Sequence, residues 1–146
     1  MDKGAAVLAT VFAGGLIALQ APINGMLGRS VGSLAAASVS FTIGTIALVA
    51  ITVLVGGGFG DLGEAKSLNW YYLTGGVLGA IYVTTALIAV RSLGAGGVTA
   101  ATITGQLTLS LMLDRLGVLG LEETPITPER VAGVALLLAG TYLIVR

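Results

Sequence analysis

LQAPINGMLGRS, Leu19–Ser30, closes the first uncharged run of the chain and holds that run's only strongly polar side chains, Gln20 and Asn24. Spaced four residues apart, the two amides share one face of a helix. Pro22 stands between them. A proline has no backbone N–H, so inside a helix it leaves the carbonyl four residues earlier, that of Ala18, without its donor. In lipid that carbonyl must find a partner within the protein or in water. Such a segment can hold a polar molecule at membrane depth, or its amides and proline can serve only to join helices and set a kink. Polar groups are costly in a membrane and tend to mark pathways, which sets the binding role level with the packing one.

The membrane setting follows from what surrounds this stretch. Of 146 residues, 55% are hydrophobic and 10% are charged, against about 25% charged in an ordinary soluble domain. Mean hydropathy is +1.01. So little charge cannot cover a water-facing surface, and the implied solvent is the lipid bilayer. Seven basic and seven acidic residues cancel, and no basic block points to nucleic acid. The chain has no Cys and no His, which removes disulfides, thiolate chemistry, haem ligation and nearly all zinc chemistry. No nucleophile–base pattern, GxSxG, HExxH or Walker motif occurs, so neither an enzyme nor a cofactor or metal is expected. Asp61 and Glu64 lack the spacing of a calcium loop.

Cutting the chain at its charges yields five apolar segments, an all-α polytopic fold in a single domain. A spanning helix needs ~20 apolar residues for a ~30 Å hydrocarbon core. The expected helices lie near residues 4–27, 33–56, 69–90, 97–118 and 127–145. The last is short, but Thr127 and Pro128 supply an N-cap and a first-turn proline. The first run is longer than the ~7–15 apolar residues of a signal peptide, and four similar runs follow it, so it is read as retained. Trp70, Tyr71 and Tyr72 directly follow a charged loop, where an interfacial aromatic belt belongs. Short Gly-rich connections near Arg29 and Arg91 predict antiparallel hairpins of helices one with two and three with four.

Further candidates sit within these helices. Thr102, Gln106, Ser110 and Asp114 recur every four residues and form a slowly winding stripe on helix four. Gln106 cannot satisfy all its donors and acceptors locally. Asp114 has two readings, an interfacial pair with Arg115 at the helix end or a buried coupling carboxylate. Ser38, Thr42 and Thr45 make a weaker polar face on helix two. Tyr82 can bond a ligand or a neighbouring carbonyl. Among 23 glycines, Gly75 and Gly79 form a GxxxG, and Gly133 and Gly140 lie two turns apart on one face. Such small faces serve packing within the chain or between two copies.

Three blocks carry a family resemblance. LQAPINGMLGRSVGSLAAASVSFTIGTIAL (19–48), GGVLGAIYVTTALIAVRSLGAGGVTAATITGQLTLSLMLDRLGVLG (75–120) and TPERVAGVALLLAGTYLIV (127–145) together span most of the chain. The first resembles the opening of the YdcZ-type family of small inner-membrane proteins. The second is similar to that family's central signature, including GQL and the aspartate before LG. The third resembles a closing helix common to many drug/metabolite transporters. The resemblance implies an exporter in the inner membrane, within that superfamily. It also implies an antiparallel homodimer, whose ten helices reproduce the two inverted halves of the larger relatives. In related four-helix multidrug exporters a glutamate in helix one couples to protons, and this chain has no acid from Gly4 to Gly28. The expected function is therefore alternating-access export of a small polar or amphipathic substrate held by Gln20, Asn24 and Gln106, with Tyr82 and Ser110 nearby. The rivals are a passive dual-topology ion channel and a membrane partner that only packs against others.

Orientation is set mainly by Lys and Arg in short loops. With five crossings, one side carries Lys3, Lys66, Arg115 and Arg130, and the other carries Arg29, Arg91 and Arg146. Four against three is almost no bias. Reporter fusions at the C-terminus are expected to give signal on both sides of the membrane. Three lysines added near Lys3 should force one orientation and abolish activity, and co-expression of an oppositely biased copy should restore it. Signal on one side only from the unmodified chain would sink the antiparallel assembly.

Overall fold

A computed structural model describes residues 2–146. Every regular element among them is helical, as lipid demands of a chain that must satisfy its backbone groups internally. α1 is Lys3–Val31 and α2 is Ser33–Leu54. Two 3₁₀ segments, Gly60–Ser67 and Trp70–Thr74, fill the connection that follows. Helical structure then runs over Gly75–Leu116 but breaks at Gly94, with φ 67° and ψ 173°. The break divides it into α3 (75–93) and α4 (95–116). α5 is Pro128–Val145, and Thr127 caps it by accepting the Arg130 N–H at 3.4 Å. Four stretches are long and apolar enough to cross a membrane, Lys3–Val31, Ser33–Leu54, Trp70–Leu116 and Pro128–Val145.

Gly94 matters because of length. An unbroken 42-residue helix would extend about 63 Å at 1.5 Å per residue, twice a ~30 Å hydrocarbon core. Its dihedrals fall in a region open essentially to glycine alone. Differences from the expected ranges have local causes. α1 continues past Arg29, because a charged side chain does not end a helix, and stops only at Gly32, where φ is 86°. The α-helical part of the third segment starts at Gly75 rather than 69. Trp70–Thr74 turns more tightly as a 3₁₀ segment, where Thr74 bonds the Tyr71 carbonyl at 2.7 Å.

The chain forms two compact units, one of residues 1–19 and 92–146, the other of residues 20–91. In the 20–91 unit α1 comes close to α3 and α2 through glycines. A Cβ on Gly25 would lie 2.7 Å from Val90 Cγ1, and one on Gly28 would lie 3.3 Å from Leu87 Cδ1 and 3.7 Å from Ala36 Cβ. Ala37, Val83 and Leu87 form the core, with Phe41 and Tyr82 packed against it. Leu87 is the one large side chain among the described residues that is fully buried. In the other unit a Cβ on Gly97 would meet Leu93 Cβ at 3.0 Å and Val145 Cγ2 at 3.5 Å. Thr104 on α4 and Thr141 on α5 are hydrogen-bonded at 2.7 Å, and both reach the Ala100 carbonyl, at 2.9 and 3.1 Å. Large apolar side chains such as Leu8, Phe12, Ile46, Leu78 and Leu143 are left exposed, which suits contact with lipid.

Two substitutions test this packing by thermal unfolding in detergent. Gly25→Ala is expected to destabilise by about 1–3 kcal/mol, the usual cost of overpacking, because Val90 is β-branched and stiff. Val90→Ala in the same chain should recover much of that loss, whereas Gly14→Ala, with nothing within 4 Å, should cost nothing. Gly94→Ala should cost about 1–3 kcal/mol through strain alone, and no neighbouring substitution should relieve it.

Candidate functional site: a buried amide on the first helix

Asn24 is the most buried polar side chain among the described residues, at 5% exposure. The small residues beside it put it there. Ala21, Gly25 and Gly28 are also buried on α1, and the close approach of α3 at Gly25 covers this face. The Asn24 Nδ2 amide is enclosed and has no hydrogen-bond partner. A buried donor left unpaired costs about 1–3 kcal/mol. Gln20, one turn earlier, is exposed. Pro22 lies within α1, which stays helical through it.

One turn beyond Asn24, the strip meets charge. Arg91 Nη2 would lie 3.3 Å from a Cβ on Gly28, and it donates to Ser33 Oγ at 3.3 Å. Ser33 opens α2, whose N-cap position, Gly32, supplies no side-chain cap. Tyr82 is half-buried against the Leu87 core.

In the unit of residues 1–19 and 92–146, Gln106 and Ser110 are exposed on α4. The polar residue that α4 buries is Thr104. Thr104 lies seven residues from Gly97 and so on the same face, while Gln106 is rotated about 200° from it. A groove of about 460 Å³ runs along this unit, lined mostly by apolar groups of Ala18, Ala95, Gly96, Ile103, Leu136 and Gly140, together with Thr99 and Thr141. Ala18 is the residue whose carbonyl loses its helical donor to Pro22.

Asp114 does not pair with Arg115. Its Oδ2 lies 3.6 Å from Arg130 Nη1 at the start of α5, while Arg115 pairs with Glu123. Adjacent residues on a helix point about 100° apart, so each finds its own partner. Ser38 and Thr42 donate to the carbonyls of Leu34 and Ser38 within α2, which spends their protons locally. Of the expected packing glycines, a Cβ on Gly79 would lie 3.3 Å from Phe41 Cζ, and nothing outside the local helix lies within 4 Å of a Cβ at Gly75, Gly133 or Gly140. Sequence reasoning missed Gly25, Gly28, Thr104 and Thr141. The available signal was small residues at helical spacing, Ala21–Gly25–Gly28 and Gly97–Ala101–Thr104.

Neither a curated protein nor a solved structure matches the chain. A family described as "Putative inner membrane exporter, YdcZ" matches residues 5–143. That is a family of membrane proteins rather than of enzymes, and its match takes in every helix described above. The chain belongs to the YdcZ family of inner-membrane exporters.

Proposed function

We propose that the protein exports a small polar or amphipathic molecule across the inner membrane by alternating access, as an antiparallel pair of five-crossing subunits. The observation that carries this reading is the enclosed, unpartnered amide of Asn24, two residues from a proline within a helix apolar enough to span. A helix that only packed would gain by placing an apolar group there. Gln20 and Gln106, exposed on the single chain, are the further amides that would meet substrate, with Ser110 beside Gln106.

Three features support the pairing. Five crossings leave one chain without the inverted repeat that secondary transporters use. Charge also divides by side. All seven acids, Asp2, Asp61, Glu64, Asp114, Glu122, Glu123 and Glu129, fall on the side of Lys3, Lys66, Arg115 and Arg130. The opposite side has Arg29, Arg91 and Arg146 and no acidic side chain. Inverting one copy gives each side of the membrane both arginines and acids and so evens out the charge of the pair. The open faces at Gly75, Gly133 and Gly140 can admit a second copy, since small residues let helices approach.

The test is flux from proteoliposomes loaded with a defined mixture of carboxylic acids, amino acids and nucleosides, followed by mass spectrometry. Saturable efflux with counterflow is expected. Ion conductance without counterflow would make the protein a channel, and neither signal would make it a packing partner. Asn24→Leu should weaken transport by about tenfold, as for one lost hydrogen bond, with expression retained. Normal efflux from the Gln20, Asn24 and Gln106 triple-Leu variant would reduce the amides to packing groups.

A further inference from the structure

The 20–91 unit is electrically lopsided. Arg29 lies in the last turn of α1, and Arg91 lies over Gly28 with Ser33 as its one hydrogen-bond partner among the described residues. Neither arginine has an acidic partner among the described residues. The acids of this unit, Asp61 and Glu64, lie beyond the far end of α2, whose 22 residues span about 33 Å. That exceeds a Debye length of about 8 Å several times over, so they do not neutralise the arginines. Asn24 is buried on the same strip of α1, one turn from Gly28, with its amide donor unspent.

The buried side-chain atom left without a partner in this unit is a donor, and the charge beside it is positive. A guanidinium presents a planar fork that fits the two oxygens of a carboxylate or phosphate. An Asn amide one turn deeper suits an acceptor carried on the same molecule. No carboxylate of this unit is near to receive a cation.

We propose that Arg91 and Asn24 form an anion site that takes a carboxylate or phosphate group. The site rests on the exporter reading only for what is carried: the substrate is then an organic anion rather than a quaternary cation. Arg91 receives the charged group, Ser33 holds the guanidinium in place, and Asn24 bonds an acceptor further along the molecule. The same chemistry could be met by the phosphate of an anionic lipid.

The test is thermal unfolding of the full chain in a neutral maltoside detergent, at ionic strength matched with sodium chloride. The probes are inorganic phosphate, benzoate and tetraphenylphosphonium. Saturable stabilisation by phosphate or benzoate, and none by tetraphenylphosphonium, is expected. Arg91→Gln and Asn24→Leu should each weaken it about tenfold or more, Arg91→Lys should weaken it less, and Arg115→Gln should leave it unchanged. A second arm compares nanodiscs of phosphatidylcholine with discs containing phosphatidylglycerol. Stabilisation by phosphatidylglycerol that Arg91→Gln removes, without any effect of free anions, keeps the site and identifies the lipid as its source. The proposal fails if no anion or anionic lipid acts beyond chloride, or if the Arg91 and Asn24 variants respond like wild type. It also fails if Arg91→Gln only lowers the dimer fraction, because acids of a second copy then occupy the arginines. Binding without flux would sink the exporter reading alone, and flux without anion binding would sink this site alone.

Discussion

Close approach of backbones at Gly25 and Gly28 is the contact on which the 20–91 unit depends. Lipid tails are as apolar as leucine side chains, so helices in a membrane gain little by hiding apolar surface from one another. What holds them is van der Waals contact, and that requires near-zero side-chain volume on one partner. Gly25 and Gly28 supply it against Leu87, Val90 and Ala36. Asn24 lies next to Gly25 on the same helix, so the contact that joins α1 to α3 also encloses an amide. Packing and polarity are thereby coupled, and a change that loosens the glycine contact would also let water reach Asn24.

The second unit uses another device for the same end. Thr104 and Thr141 share two protons among three short contacts that include the Ala100 carbonyl. Such bonds between membrane helices contribute about 0.6 kcal/mol each on average, so they fix register more than they add stability. Arg130 with Asp114 and Arg115 with Glu123 close the connection between α4 and α5 at its polar end.

The helical segments were legible because lipid permits few alternatives: uncharged runs near 20 residues, bounded by Arg29, the Asp61–Lys66 loop, Arg91 and Asp114, can do little else. The site was only partly legible. Asn24 stood out as an amide in an apolar run, and the structure encloses it. Gln106 stood out for the same reason, yet lies exposed, because which face of α4 is covered depends on where α5 presents Thr141. That is tertiary information, and a four-residue stripe does not contain it. Glycine spacing misled in a similar way. GxxxG at Gly75 and Gly79 drew notice, while α1 meets α3 through Gly25 and Gly28, whose partners Val90 and Leu87 are distant in sequence. Asp114 and Arg115 illustrate the commonest error, taking neighbours in sequence for neighbours in space.

The chain passes from one unit to the other where its backbone is weakly held. It does so twice, between Leu19 and Gln20 and between Arg91 and Ser92. The first passage falls inside the turn from Ala18 to Pro22, where the helix lacks one backbone hydrogen bond. The second lies two residues before Gly94, where helical dihedrals stop altogether. Helices bend at such positions because fewer backbone bonds oppose the change. Each unit is built as a packed body, one by glycine contact and one by the threonine pair, and the backbone is weakened close to both points where they join. Pro22 and Gly94 each lie within three residues of a passage, and Asn24 and Arg91 lie within one turn of them. The enclosed amide and the arginine above Gly28 thus both sit beside backbone that its own hydrogen bonds hold least.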